Sequence, residues 1–96
     1  MECVLKAEKF VETIKAEDKL LRFRKFLKEA KTLFDIADLF RRATRFVKNL
    51  KVDYEKFEGK LLLAMVNDES IIFFTETLTI AFMVYKNDVI VRISGV

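Results

Sequence analysis

One long apolar run constrains the fold of this chain more than any other feature. It covers residues 70–86 and reads SIIFFTETLTIAFMVYK. The fifteen residues inside it are fewer than the roughly 20 that a membrane-spanning helix needs, and Glu76 lies near their middle among three threonines. We therefore expect no membrane span, and the content of Ile, Phe, Thr and Val favours β-structure.

The length of this run leaves two arrangements open. A single strand of fifteen residues would reach about 50 Å, whereas a domain of 96 residues is about 32 Å across. The run is therefore either a hairpin that turns around residues 75–77 or one long, bent strand that projects into a partner. Thr-Glu-Thr lacks the Gly or Asn that tight turns prefer. Because strands rarely exceed about ten residues, the hairpin is the preferred prediction.

The rest of the C-terminal half also predicts strands. Residues 60–66 form a short apolar run, residues 67–70 have the composition of a turn, and Asn87-Asp88 predicts a two-residue hairpin connection. Alternating apolar positions then indicate a last strand with a partly polar second face, at Val89, Val91 and Ile93.

The N-terminal half predicts helices, because residues 2–50 contain no Gly or Pro and show three- and four-residue apolar spacing. Two apolar stripes would point to opposite sides of one continuous helix. The first consists of Val4, Ala7, Val11 and Ile14, and the second of Leu20, Phe23, Leu27 and Ala30. Since a helix buries one side well against a small core, we predict a break near residues 16–19 with Asp18 as N-cap. The alternative is one long helix covered on two sides.

A further helix is predicted after Thr32-Leu-Phe-Asp35, which resembles a capping box with Asp in place of Glu or Gln. Its apolar face extends to about residue 50 and consists of Leu33, Ile36, Phe40, Ala43, Val47 and Leu50. The predicted fold class is therefore α+β, with about three N-terminal helices packed on one face of a C-terminal three- to four-stranded antiparallel β-meander. We expect a single domain, with a helical half at 2–50 and a β half at 52–95.

Both faces of the predicted strands are largely apolar, and 52% of the chain is hydrophobic. The helices can cover one face of the sheet, which leaves the other face in need of a cover. A second copy of the chain is the simplest cover, through an isologous contact; the alternative is that the helices wrap both faces. The candidate self-association residues are Phe73, Phe74, Phe82, Met83 and Tyr85.

The sequence contains no recognisable catalytic or metal-binding pattern. It has no His, one cysteine (Cys3) and two glycines, which leaves no common nucleophile–base pair and no phosphate loop. Ion pairing along a helix explains Asp38 beside Arg41 and Arg42. We expect a non-enzymatic interaction module without a cofactor, and a small-molecule ligand would leave no motif. The lone thiol and the lack of a signal-peptide pattern predict a cytoplasmic location.

The charge distribution suggests an alternative function. Residues 1–18 carry −2, residues 19–51 carry +8 and residues 52–96 carry −3. The basic segment could bind nucleic-acid backbones without reading their sequence. The candidate residues are Arg24, Lys28, Lys31, Arg41, Arg45 and Lys48. The competing interpretations are a charged surface of the kind found in thermophile proteins, a basic face that meets the acidic ends of a partner chain, or a basic helix on a membrane surface.

Overall fold

A computed structural model describes residues 17–32, 35–47, 57 and 60–95, and the side chains from residue 20 onward. Two helices precede four strands: α1 (Glu17–Ala30), α2 (Ile36–Thr44), β1 (Leu63–Val66), β2 (Ser70–Phe74), β3 (Leu78–Tyr85) and β4 (Asp88–Gly95). The α+β class is confirmed, but the described residues contain two helices rather than about three. The predicted stripe at Val4, Ala7, Val11 and Ile14 lies outside the described residues, as does the proposed break before α1.

Helix α1 forms because its sequence, EDKLLRFRKFLKEA, consists largely of strong helix formers without Gly or Pro. The predicted apolar stripe is confirmed, since all four of its side chains are buried: Leu20, Phe23, Leu27 and Ala30. Phe26 widens the stripe and is also buried. The described helix begins at Glu17, so Asp18 lies within it and not at the predicted N-cap position.

Helix α2 is capped by Asp35, one helical turn later than the sequence predicted. The backbone of Asp35 is extended, and its side chain accepts a hydrogen bond from the Asp38 N–H at 3.3 Å. Thr32 instead belongs to the end of α1, where its hydroxyl and its N–H both donate to the Glu29 carbonyl. The prediction of Thr32 as the capping residue was wrong because the same threonine completes the last turn of α1.

The end of α2 also differs from the prediction, which extended the helix to Leu50. The helix ends at Thr44, and the next three N–H groups bond to carbonyls three residues earlier, at 3.1–3.2 Å. This tighter pattern is typical of a helix terminus. It keeps Val47 buried, so the predicted apolar face persists although the α-helix does not.

The four strands form an antiparallel meander in the order β1-β2-β3-β4. The apolar run at residues 70–86 folds as the predicted hairpin, with β2 and β3 on either side of residues 75–77. The Thr75 hydroxyl accepts hydrogen bonds from the N–H groups of Thr77 and Leu78, at 3.2 and 2.8 Å. The connection between β3 and β4 is Lys86-Asn87, one residue earlier than predicted, and Lys86 adopts a positive φ of 59°.

One face of the sheet, called here the inner face, packs against both helices. Its side chains are all apolar: Ala64, Val66, Ile71, Phe73, Leu78, Ile80, Phe82, Val84, Val89, Val91 and Ile93. The Phe40 ring on α2 lies 5.0 Å from the Phe73 ring and 6.0 Å from the Phe82 ring, both edge-on. These aromatic contacts bring α2 over the middle of the sheet.

Candidate interaction surfaces

The opposite side of the sheet, called here the outer face, follows directly from the strand register. Successive side chains of a strand point to opposite sides, so the positions between the inner-face residues share the other side. They are Leu63, Met65, Ser70, Ile72, Phe74, Thr79, Ala81, Met83, Tyr85, Asp88, Ile90, Arg92 and Ser94. Eight of these thirteen positions are apolar or aromatic, and only Asp88 and Arg92 are charged.

Much of the outer face is accessible to solvent. Leu63, Met65 and Tyr85 are 52%, 55% and 56% exposed. Ile72, Phe74, Met83 and Ile90 are half-buried, and Ala81 is buried. An antiparallel sheet that faces water on one side normally shows polar residues there. The outer face is therefore unusually apolar, and its exposed apolar side chains lie on β1 and at the end of β3.

The structure divides the predicted self-association residues between the two faces. Phe74, Met83 and Tyr85 lie on the outer face. Phe73 and Phe82 lie on the inner face with no exposed surface, so they are not part of the outer face. The sequence could not separate these two sets by hydrophobicity, because both are equally apolar.

Basic side chains on α1 form ion pairs with the acidic turn between β1 and β2. Arg24 Nη2 lies 3.3 Å from Glu69 Oε1, and the Lys31 ammonium group bonds to the Asp68 carboxylate. The hydrogen bond from Lys31 and its charge lower the pKa of Asp68 below its ordinary value, and the charge of Lys28 adds to this effect. The acidic turn thus offsets much of this basic edge of α1.

A second group of basic side chains surrounds a cleft between the two helices. This α1–α2 cleft has a volume of about 400 Å³ and is lined by Arg22, Lys25, Phe26, Glu29, Arg42, Arg45 and Phe46. Arg42 Nη2 bonds to Glu29 Oε1 at 3.1 Å, and its guanidinium carbon lies 5.4 Å from the centre of the Phe26 ring. The Phe26 and Phe46 rings lie 5.7 Å apart.

The cations predicted from the sequence do not form one patch. Arg45 lines the α1–α2 cleft, whereas Lys28 and Arg24 line a separate cleft beside the acidic turn. Lys31 pairs with Asp68, Arg41 is half-buried on α2, and Lys48 lies outside the described residues. Three cations accompany Arg45 in this cleft without being among the candidates predicted from the sequence, and they are Arg22, Lys25 and Arg42. Arg22 precedes Lys25 by three residues and Phe26 by four, and this helical spacing is the signal that could have identified the α1 members.

The described residues give no sign of a metal centre or a membrane span. No three His, Cys, Asp or Glu side chains within them could together hold a metal ion. None of the helices found there has the length and apolarity that crossing a bilayer requires. Within the described part of the chain, fold and surface define an α+β protein in which two helices cover one face of a four-stranded meander. No family model, curated protein or solved structure matches the chain.

Proposed function

We propose that this protein is a non-enzymatic interaction module that self-associates through the outer face of its sheet. The observation that carries the proposal is the exposure of Leu63, Met65 and Tyr85 on a face whose other members are mostly apolar. Exposed apolar patches of a few hundred Å² often mark sites of protein association. The outer face is such an exposed apolar patch, because both described helices pack on the inner face.

A second copy of the chain fits this face by charge. The outer face has one cation and one anion, Arg92 and Asp88, on the same strand. Identical faces with a net charge would repel each other, whereas these faces are neutral. When two β4 strands lie antiparallel, each carboxylate can also approach a guanidinium of the partner. An isologous contact needs a surface that is complementary to itself in this way.

The size of the face indicates a reversible assembly. With about 4.8 Å between strands and about 3.3 Å per residue, the sheet covers about 400 Å² in outline. Two stacked faces would therefore bury about 800 Å² in total, below the range of about 1,200–2,000 Å² for stable complexes. We expect a dissociation constant on the order of micromolar or weaker, and exchange between monomer and dimer.

The methionines allow a direct test of the surface. Met65 and Met83 lie on the outer face, and their labelled methyl groups can be followed by NMR during dilution. We expect both methyl signals to shift together with a single dissociation constant. Concentration-independent signals would refute the proposal.

A matched pair of variants separates the outer face from general hydrophobicity. Met65→Lys with Met83→Lys places charges in the contact and should abolish the concentration dependence of the Tyr85 ring signals. Leu21→Lys is the control, because Leu21 is 66% exposed but lies on α1. The control should associate like the wild type. Equal loss of association in both variants would contradict the assignment to the outer face.

The ion pairs at the acidic turn weaken the support for the alternative proposal, which is non-specific nucleic-acid binding. Arg24 and Lys31 are engaged by Glu69 and Asp68, so they are poor candidates for phosphate contacts. The cations of the α1–α2 cleft retain more support for anion binding, because Arg22, Lys25 and Arg45 form no ion pair with another described residue.

A further inference from the structure

The α1–α2 cleft brings four basic side chains together beside a single lining carboxylate, Glu29. Arg22, Lys25 and Arg45 are exposed around it. None of the three takes part in the ion pairs formed among the described residues. The basic residues on the other edge of α1 instead meet the acidic turn. An anion-binding site requires cations that are not paired with carboxylates. Among the described residues, the cleft edge of α1 provides such cations in Arg22 and Lys25.

Arg42 gives the cleft a fixed centre. Its guanidinium group bonds to Glu29 at 3.1 Å, lies 4.0 Å from Asp38 and rests over the Phe26 ring. A guanidinium held in this way loses little side-chain entropy when it binds a ligand. Phe26 and Phe46 provide an apolar wall beside it. The cleft therefore combines one positioned cation with three exposed cations at its rim.

We propose that the α1–α2 cleft binds the phosphate group of a phosphate ester. Three of its four cations are arginines, whose planar fork matches two phosphate oxygens at once. The volume of about 400 Å³ exceeds what one phosphate needs and lies in the range of ligand sites, so it admits the organic part of the ester as well. That part would lie against Phe46, which is half-buried.

The ester can come from a free nucleotide or from a single-stranded nucleic acid, and both present the same phosphate chemistry. Calorimetry with the intact protein at about 50 mM salt would use three probes: pyrophosphate, ATP and a short oligothymidylate. Binding of ATP and pyrophosphate assigns the site to a free ligand. Binding of the oligonucleotide alone assigns it to a nucleic-acid backbone. Either result supports the proposal, and no binding of any probe overturns it.

Variants then locate the bound anion. Arg22→Gln with Arg45→Gln removes two exposed cations from the cleft and should weaken binding about tenfold or more. The control is Lys28→Gln with Lys60→Gln, which removes the same charge from exposed positions outside the cleft. Its effect should stay below about twofold. Equal weakening by both pairs would mean general attraction to a basic protein and would overturn the assignment.

Glu29 provides a test of opposite sign. Its carboxylate repels an incoming anion, but its amide counterpart can still hold Arg42 by a hydrogen bond. Glu29→Gln should therefore tighten binding several-fold, while the far-ultraviolet circular dichroism spectrum stays that of the wild type. Weaker binding by a folded Glu29→Gln protein would contradict a phosphate in this cleft.

Discussion

The two faces of the sheet are built from the same four strands but differ in what covers them. Phe73 and Phe74 are neighbours in β2, yet Phe73 has no exposed surface and Phe74 is only half-buried. The difference comes from the described helices, because the Phe40 ring of α2 packs edge-on against Phe73 and Phe82 of the inner face. The apolar character of a strand therefore does not by itself indicate which of its faces lies in the core. Variants on each face can test this difference.

Truncation of the two adjacent phenylalanines should separate the faces most clearly. Phe73→Ala leaves a cavity beneath α2 and should lower the free energy of unfolding by about 3–5 kcal/mol. Phe74→Ala removes a half-buried ring and should cost about 1 kcal/mol in dilute protein. Urea unfolding followed by circular dichroism measures both. Similar losses for the two variants would show that the outer face is as well packed as the inner face.

The start of α2 should affect the inner face through Phe40, which contacts Phe73 and Phe82. Asp35→Ala removes the observed cap and should lower the free energy of unfolding by about 1 kcal/mol. Thr32→Ala is the matched control, because Thr32 belongs to the end of α1, and its loss should be smaller. A larger effect at Thr32 would restore the cap position predicted from the sequence.

The ion pair between Lys31 and Asp68 should produce the smallest effect. The hydrogen bond from Lys31 holds the pKa of Asp68 below 3.8 in the folded protein. The stabilisation is therefore complete above the unfolded-state pKa and is lost as the pH falls through the lower folded-state value. An NMR titration of Asp68 should show a midpoint below 3.8 that rises towards that value in Lys31→Ala. An unchanged midpoint would show that the pair does not persist in solution.

Sequence periodicity was sufficient to predict the elements whose apolar pattern is compatible with a single structure. The stripe from Leu20 to Ala30, the hairpin in residues 70–86 and the last strand all followed from spacing and length. The turn at residues 75–77 was harder to predict, because it contains no Gly or Asn. The Thr75 hydroxyl supplies the hydrogen bonds that such residues usually provide. The cap of α2 was misplaced because Thr32 and Asp35 both suit an N-cap, and only the length of α1 decides between them.

The candidate surfaces were less predictable than the fold. The choice between Phe73 and Phe74 as an exposed residue depends on the side that the helices cover, which is a tertiary property. The ion pairs of Arg24 and Lys31 could not be predicted, because Asp68 and Glu69 are far from α1 in the sequence but adjacent to it in space. Charge counts along the chain could not show which edge of α1 meets acidic partners. The α1–α2 cleft emerges only when the packing of the two helices is known.

Sedimentation equilibrium over a range of concentrations measures whether the outer face binds a second copy of the chain. The chain has a mass of 11.3 kDa. If the outer face binds a second copy, the average mass should rise with concentration towards twice that value, and Met65→Lys with Met83→Lys should hold it at the mass of one chain. A wild-type protein that stays at 11.3 kDa from micromolar to millimolar concentration would contradict the account.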